Sequence, residues 1–308
     1  YIEHHLSHIA SSFYPSGLSE ATAISIDGSG DFTTCAFANC TYEKIEIFNR
    51  IRFPDSLGIF YHAMTQFLGF KNYGDEYKIM GLAAYGSPKY FDKIIENIFK
   101  INNDHLFELN LEYFNHHKNN FKYIADEDLV IDQIYNEKLL DLFSKEIKEN
   151  KEEFLKDFAC SVQKVYEFFF KKILKKVSDQ NFSKNLVFAG GCALNCLANG
   201  KIIKKTKFKN IFIPPVPDDS GAGLGAAFYL HNKILNNKRV YVMDNNYLGP
   251  SYSNAEVEST LKKYKLKFKF VKNPSLIGAK LISENKIIGW FQDSLEFGDR
   301  ALGNRSIL

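Results

Sequence analysis

Long apolar runs are missing from this chain, and none approaches the length of a membrane-spanning helix. Its first residues also lack the charged, apolar and small-residue succession of a signal peptide. Both absences point to a cytoplasmic protein with no membrane partner. Cysteine is sparse and odd in number: Cys35, Cys40, Cys160, Cys192 and Cys196. Reduced thiols are indicated rather than a disulfide framework, with Cys192 and Cys196 read as core packing. An excess of charge of one sign is lacking as well. The formal net charge is only +3 over 308 residues, and lysine and glutamate are interspersed. This argues against nucleic acid as a partner while leaving a phosphate-bearing substrate open. No internal repeat or low-complexity tract is present.

What remains is 45% hydrophobic, enough at this length for a large core in two domains or two lobes. Residues 21–26 read as an apolar strand ending in Asp27-Gly28-Ser29-Gly30, and residues 32–38 as a second strand, so the Asp-Gly turn predicts a hairpin. Residues 57–70 read as a buried amphipathic helix. From 91 to 156 the glycine-rich turns give way to Asn, Lys, Glu and Phe, with helical periodicity over 129–147, the pattern of an inserted helical layer. Residues 158–177 predict a long helix carrying Val162, Val165, Phe168, Phe169 and Leu174 on one stripe. Strand 186–189, helix 193–204, strand 211–213 and helix 221–230 follow, an alternation that predicts a layered α/β fold.

The polar stretch 231–246, around a short strand at 240–243, reads as a domain boundary. Beyond it, Ser253 and Glu256 form a capping-box pattern that opens a helix to about residue 263. A strand at 266–271, a helix from Asn273-Pro274 to about residue 283 and a strand at 286–292 begin a second α/β unit.

Three loops and one helix carry the chemistry. His4 and His8 stand four residues apart, the spacing that stacks two imidazoles on one helix face, where they can chelate one ion. The bland alternative is a helix with two satisfied histidines. His5 points off that face. Imidazole suits zinc or ferrous iron, and a further ligand would come from elsewhere in the fold. A metallopeptidase is disfavoured, because His5 stands where the zinc-protease pattern needs its Glu.

Asp27, Gly28 and Gly30 read either as a plain turn or as an anion-binding concavity whose carboxylate holds a cation on phosphates. Gly190-Gly191 is either a tight connection or a set of amides at a helix N-terminus for phosphate or ribose oxygens, with Asn195 one turn in. Asp218 and Asp219 either cap the helix at Gly221 or place Asp219 as the carboxylate that completes the histidine site. Gly221, Gly223 and Gly225 would then let backbone approach a nucleotide. None of these turns fits the P-loop or dinucleotide fingerprint.

Taken together, five segments closely resemble the O-carbamoyltransferases of nodulation-factor, cephalosporin and aminoglycoside biosynthesis. They are His4-His5-Leu6-Ser7-His8-Ile9-Ala10-Ser11, Phe53-Pro54-Asp55-Ser56-Leu57-Gly58, the stretch from Glu76 to Gly86, Ala189-Gly190-Gly191-Cys192-Ala193-Leu194-Asn195, and the stretch from Glu296 to Ser306. The match runs in order through nearly the whole chain and is weakest over 91–156.

The resemblance implies an actin/sugar-kinase-like (ASKHA) two-lobed ATPase fold over residues 1–235, incomplete at its N-terminus, followed by the start of a YrdC-like α/β domain over residues 247–308. It implies ATP and a divalent metal, Fe2+ first with Mn2+ or Zn2+ open, and Mg2+ for adenylate formation. Carbamoyl phosphate and ATP would form carbamoyl-adenylate, and the carbamoyl group would pass to a hydroxyl of a sugar-like or natural-product acceptor. His4, His8 and Asp219 would be metal ligands, with Asp27 at the metal or phosphate. Gly28, Gly30, Gly190, Gly191, Asn195 and Gly221 would line the nucleotide, and Arg300 and Arg305 the carbamoyl phosphate. A homodimer is left open.

Two departures stand out. The family has roughly a hundred further residues at its start, including a His-Asp motif for the transfer base, on the scale of a small domain. The chain also ends just inside the YrdC-like domain, with Asp299 where the family motif has Pro. A fragment without activity of its own is one expectation. The competing readings are a tRNA threonylcarbamoyl-transfer relative, a small-molecule kinase of the same fold, and a regulatory nucleotide-binding module.

Overall fold

A computed structural model describes residues 1–100, 106–118 and 132–308. They form two compact units, Tyr1–Val242 and Met243–Leu308. The first opens with α1 (His4–Phe13), started by Glu3, whose carboxylate accepts from the Leu6 N–H at 2.7 Å. β1 (Glu20–Gly30), β2 (Thr33–Thr41) and β3 (Ile45–Arg52) then form an antiparallel meander. Helices α2 (Leu57–Phe67), α3 (Glu76–Leu82) and α4 (Phe91–Ile98) follow, then the short ribbon β4 (Phe99–Lys100) and β5 (Glu108–Leu109). Next come α5 (Glu137–Glu149), the long α6 (Lys151–Ser178), β6 (Asn185–Ala189), α7 (Cys196–Asn199), α8 (Ile202–Lys205), β7 (Asn210–Phe212) and α9 (Asp219–Tyr229). The five-stranded sheet has the order β3-β2-β1-β6-β7, with β6 parallel to β1 and to β7. The architecture is therefore α/β with a mixed sheet.

Alternation along the strands decides what each face of that sheet holds. Ala21 and Ala23 of β1, Ala36 and Ala38 of β2 and Val187 of β6 make one face, covered by Ile9 and Phe13 of α1 and Phe228 of α9. Ile24, Ile26, Phe37, Leu186 and Phe188 make the other, which belongs to the larger core of α2 and α6. There Phe170 of α6 stacks on Phe188 at 5.3 Å. Asn150 starts α6, Glu152 and Glu153 lie in its first turn and Lys175 and Lys176 in its last, each sign opposing the helix dipole. The described residues between 91 and 150 pack on α6 through aromatic pairs such as Phe99–Phe169 at 4.3 Å and Phe143–Phe158 at 5.0 Å.

Several local expectations are corrected. Asp27-Gly28-Ser29-Gly30 is not the hairpin turn: β1 runs through it, its register against β2 shifts between Ile26 and Gly30, and the chain reverses at Asp31 and Phe32. Both of those residues have positive φ (48° and 58°), the backbone whose twist suits a two-residue hairpin. A register shift of this kind re-aims a side chain, here that of Asp27. The helix expected over 193–204 is broken into a 3-10 turn at Gly191–Leu194, α7 and α8, because Asn195 leaves helical backbone (ψ 83°) and caps the Ala198 N–H.

Residues 240–243 and 266–271 pair with no strand among the described residues, and β3 lies where no element is expected. The helix expected over 129–147 begins at Glu137 behind the Asn136 cap; residues 129–131 lie outside the described residues. Cys196 is exposed rather than core, and all five cysteines are free. No described helix is long and apolar enough to cross a membrane.

The second unit holds α10 (Asn254–Lys263), started by the reciprocal Ser253–Glu256 capping box, α11 (Pro274–Ser283), capped by Asn273, and the antiparallel pair β8 (Gly289–Phe291) and β9 (Arg305–Ile307).

Candidate metal and anion site

The site begins with the seating of α1. His5 is fully buried, its Nδ1 2.8 Å from Ser25 Oγ and its Nε2 2.9 Å from the Thr33 carbonyl. Burial pushes its pKa down to about 4, so it is a neutral anchor to β1 and β2. With His5 turned into the core, the i, i+4 pair His4 and His8 faces Asp27 at the irregular end of β1. The His4 N–H donates to the Asp31 carboxylate at 2.8 Å and fixes the first turn of the helix to the hairpin tip.

His8 Nε2 lies 2.9 Å and His4 Nε2 3.2 Å from Asp27 Oδ2, and the two ring nitrogens are 3.1 Å apart. Asp219 Oδ1, from the first turn of α9, is 3.3 Å from His8 Nε2 and 3.5 Å from His4 Nε2. One ligand atom from each of the four residues lies within 4.8 Å of the others. Donors about 2.0–2.1 Å from one tetrahedral ion sit about 3.3 Å apart, so these separations match a common ion. Two imidazoles and two carboxylates suit zinc, ferrous iron or manganese.

Without an ion the charges balance differently. Burial lowers the pKa of His8, but hydrogen bonds to Asp219 and Asp27 outweigh it and hold the imidazole up at about 9. Burial likewise opposes ionisation of Asp27, yet its bonds to His4 and His8 keep the carboxyl well below the usual range.

The other oxygen of Asp27 ties the loops together. Oδ1 accepts from the N–H groups of Gly28 (2.7 Å) and Gly191 (3.3 Å). Gly190 has φ 88°, and a Cβ there would lie 2.2 Å from the Ile26 carbonyl oxygen, so only glycine lets the loop after β6 lie against β1. The Gly190 N–H donates to the Pro217 carbonyl at 2.7 Å, which carries the order on to Asp218 and Asp219. Space over Gly28 is open: a methyl group added there would meet nothing within 4 Å. A Cβ at Gly30 would run into the His4 ring.

Other expected site residues are engaged elsewhere. Asn195 is buried, with its amide committed to Gln163 in both directions (3.0 and 3.1 Å) and to the Ala198 N–H. Gly221 gives room to the Val216 carbonyl and Gly225 to the Ser7 carbonyl, so their contacts are internal packing rather than an open cradle; Gly223 has nothing within 4 Å. In the second unit Arg305 Nε lies 3.3 Å from Glu296, and its guanidinium also donates to the carbonyls of Gly298 and Arg300. Lys78, in the Glu76 to Gly86 stretch and assigned no role from the sequence, is ion-paired with Asp75 at 2.6 Å.

Ser56, absent from the expected set, caps α2 and donates to the carbonyls of Asp27 (3.1 Å) and Gly28 (2.7 Å). Its place in a Pro-Asp-Ser run ahead of an apolar helix is the signal that marks it.

The family model for the carbamoyltransferase N-terminus matches residues 1–228, and that for the carbamoyltransferase C-terminus matches residues 279–308. The chain belongs to the carbamoyltransferase family. An uncharacterised protein of Synechocystis sp. is 37% identical over 99% of this chain and 50% of its own length. Nodulation protein NolNO of Sinorhizobium fredii is 30% identical over the whole chain and 43% of its own length. The 3'-hydroxymethylcephem-O-carbamoyltransferase of Streptomyces clavuligerus is 28% identical over 40% of the chain and 22% of its own length. The chain thus spans about half the length of the relatives it matches from end to end. Full-length HypF in its phosphate- and nucleotide-bound crystal form overlays on 77% of this chain and 36% of its own, with a TM-score of 0.39 and 16% identity.

Proposed function

We propose that the protein is an ATP- and metal-dependent O-carbamoyltransferase. Water releases phosphate from carbamoyl phosphate to leave carbamate, whose oxygen attacks the α-phosphorus of ATP and expels pyrophosphate to give carbamoyl-adenylate, and the carbamoyl group then passes to an acceptor hydroxyl with release of AMP. The observation that carries the reading is the convergence of His4, His8, Asp27 and Asp219 at ligand spacing in a chain of this family. A divalent cation held by those four residues would act as a Lewis acid on the negative charge that develops at the carbamoyl oxygen during attack.

The chain's own residues set that site up. His5 locks the helix so that both imidazoles share one direction. Asp27 divides its work: Oδ1 is taken by two backbone N–H groups, which leaves Oδ2 aimed at the histidines. The N–H groups of Gly28 and Gly191 are taken by Asp27 and that of Gly190 by Pro217, so we assign the nucleotide to the open space over Gly28, beside these loops, and not to those amides. Arg300 and Arg305 would grip carbamoyl phosphate, as a planar fork suits. The order β3-β2-β1-β6-β7, a meander continued by two parallel strands, supports an actin/sugar-kinase-like lobe over residues 1–235, with residues 247–308 assigned to a YrdC-like part.

The test is pyrophosphate release from ATP in the full-length protein. Release that requires carbamoyl phosphate is the expected result. His4→Ala with His8→Ala should spare that release and abolish transfer to an acceptor. A protein that binds ATP but releases no pyrophosphate with carbamoyl phosphate would be the regulatory module instead.

A further inference from the structure

Helix α1 is held at three points along its length. His5 pins its first turn to β1 and β2, and Gly225 of α9 lies against the Ser7 carbonyl near its middle. The third point is its C-terminal end. The last carbonyls of a helix have no partner within it, and α1 has no basic residue of its own in its last turn. Arg239, 225 residues after Tyr14, supplies both the donors and the charge. Its Nη2 donates to the Phe13 carbonyl at 2.9 Å and to Ser16 Oγ at 3.3 Å, its Nε to the Tyr14 carbonyl and its Nη1 to the Leu18 carbonyl, the last two at 2.5 Å. The guanidinium also lies over the buried Phe13 ring, 5.0 Å from the centroid. A rigid fork of five donors suits three carbonyls that diverge at a helix end, and its charge opposes the helix dipole.

The residues that follow extend this grip. Tyr241 stacks on Phe228, in the last turn of α9, with ring centroids 6.0 Å apart. Val242 Cγ1 lies 3.0 Å from where a Cβ on Gly17 would stand, at the left-handed residue (φ 74°) that closes the turn after α1. Residues 239–242 thus clasp the C-terminal ends of the two helices whose N-terminal parts carry His4, His8 and Asp219.

The leverage is geometric. Phe13 stands about 12 Å along the axis from His5, and His8 about 4.5 Å, at 1.5 Å per residue. With the far end released, a tilt of about 10° pivoting at His5 would carry His8 about 0.8 Å sideways. Metal–ligand distances hold to within about 0.2 Å of their ideal values, so such a tilt would spoil the convergence on Asp27 and Asp219.

We propose that Arg239 is a positioning residue for the metal cluster: through the carbonyls of Phe13, Tyr14 and Leu18 it fixes the tilt of α1, and so sets where His4 and His8 meet Asp27 and Asp219. The inference rests on the metal-binding part of the proposed function, and the experiment reads the two separately.

The full-length protein, Arg239→Lys and Arg239→Gln are titrated with Co2+, whose visible absorption follows its coordination geometry, and the melting temperature and far-ultraviolet circular dichroism of each are recorded. The parent should bind Co2+. Arg239→Lys keeps the charge but loses the fork, so it should fold and yet bind Co2+ about tenfold more weakly, the low end for residues that orient metal ligands, with an altered absorption spectrum. Arg239→Gln should bind no more tightly than Arg239→Lys; if it does not fold, Arg239→Lys decides alone. An Arg239→Lys protein that melts at a lower temperature but keeps the parent's Co2+ affinity and spectrum would overturn the proposal and leave Arg239 a helix cap. A parent that takes up no Co2+ would remove the metal reading itself and the role of Arg239 with it.

Discussion

Gly225 faces the carbonyl oxygen of Ser7 so closely that a methyl group added to it would lie 1.8 Å from that oxygen. Helices α9 and α1 therefore meet backbone to backbone, and this contact is what carries Asp219 to His4 and His8. Gly225→Ala should separate the helices. The expected outcome is a loss of about 1–3 kcal/mol in urea unfolding, the usual cost of overpacking, together with reduced metal content by elemental analysis. A variant as stable and as metal-loaded as the parent would contradict the contact.

Substituting both His4 and His8 by alanine should remove a bound divalent metal from the purified full-length protein, since it takes away two of four converging ligands. His5 still anchors α1, so the far-ultraviolet circular dichroism should stay unchanged. Equal metal in the parent and the double variant would refute the assignment.

Gly28 and Gly190 should respond in opposite ways to alanine. At Gly28 the added methyl meets nothing within 4 Å, so stability should change by no more than about 0.5 kcal/mol while nucleotide affinity falls. At Gly190 the methyl meets the Ile26 carbonyl at 2.2 Å on a backbone with φ 88°, and the loss should appear in stability first. Paired denaturation and calorimetry on the two variants check this. Loss of stability at Gly28 with nucleotide binding intact would remove that residue from the ligand path.

Asn195→Ala should cost about 1–3 kcal/mol, because it removes two buried hydrogen bonds to Gln163, which keeps only Tyr61 and Glu167 as partners, and uncaps the Ala198 N–H of α7. Nucleotide affinity of the folded fraction should be unaffected. A stable variant with weakened ATP binding would restore Asn195 to the nucleotide contacts.

Arg305→Lys and Arg300→Lys, made in the full-length enzyme, should weaken use of carbamoyl phosphate and leave transfer from preformed carbamoyl-adenylate largely intact. Arg305 also bonds Glu296 and two backbone carbonyls, so its variant should melt at a lower temperature as well. Equal loss of both half-reactions would point to a folding defect.

What could be read from the sequence was what is local in it. The His4/His8 spacing, the long apolar α6 and the Ser253 capping box depend on residues within a turn or two of each other, and the structure has each element. The misplaced hairpin turn has a different origin. Asp-Gly is a strong local turn signal, but Asp27 is needed opposite the histidines, and the chain reverses four residues later at Asp31 and Phe32. Partnerships across long separations were invisible. Gln163 meets Asn195 across 32 residues, and Gly225 meets Ser7 across more than two hundred, so a helix glycine that looked free for a ligand proved to be a helix–helix contact.

The alanine face of the sheet sets a clearance for the histidines. Ala21, Ala23, Ala36 and Ala38 are completely buried beneath α1, whereas the opposite face carries Ile24, Phe37 and Phe188. A methylene added under α1 would lift both imidazoles while Asp27, which belongs to the strand, stays where it is. A machinist's shim behaves the same way: its thickness matters more than its material. A larger side chain at any of these four alanines would therefore raise α1 off the strands, whereas the opposite face is filled by bulkier residues that do not touch the histidine helix.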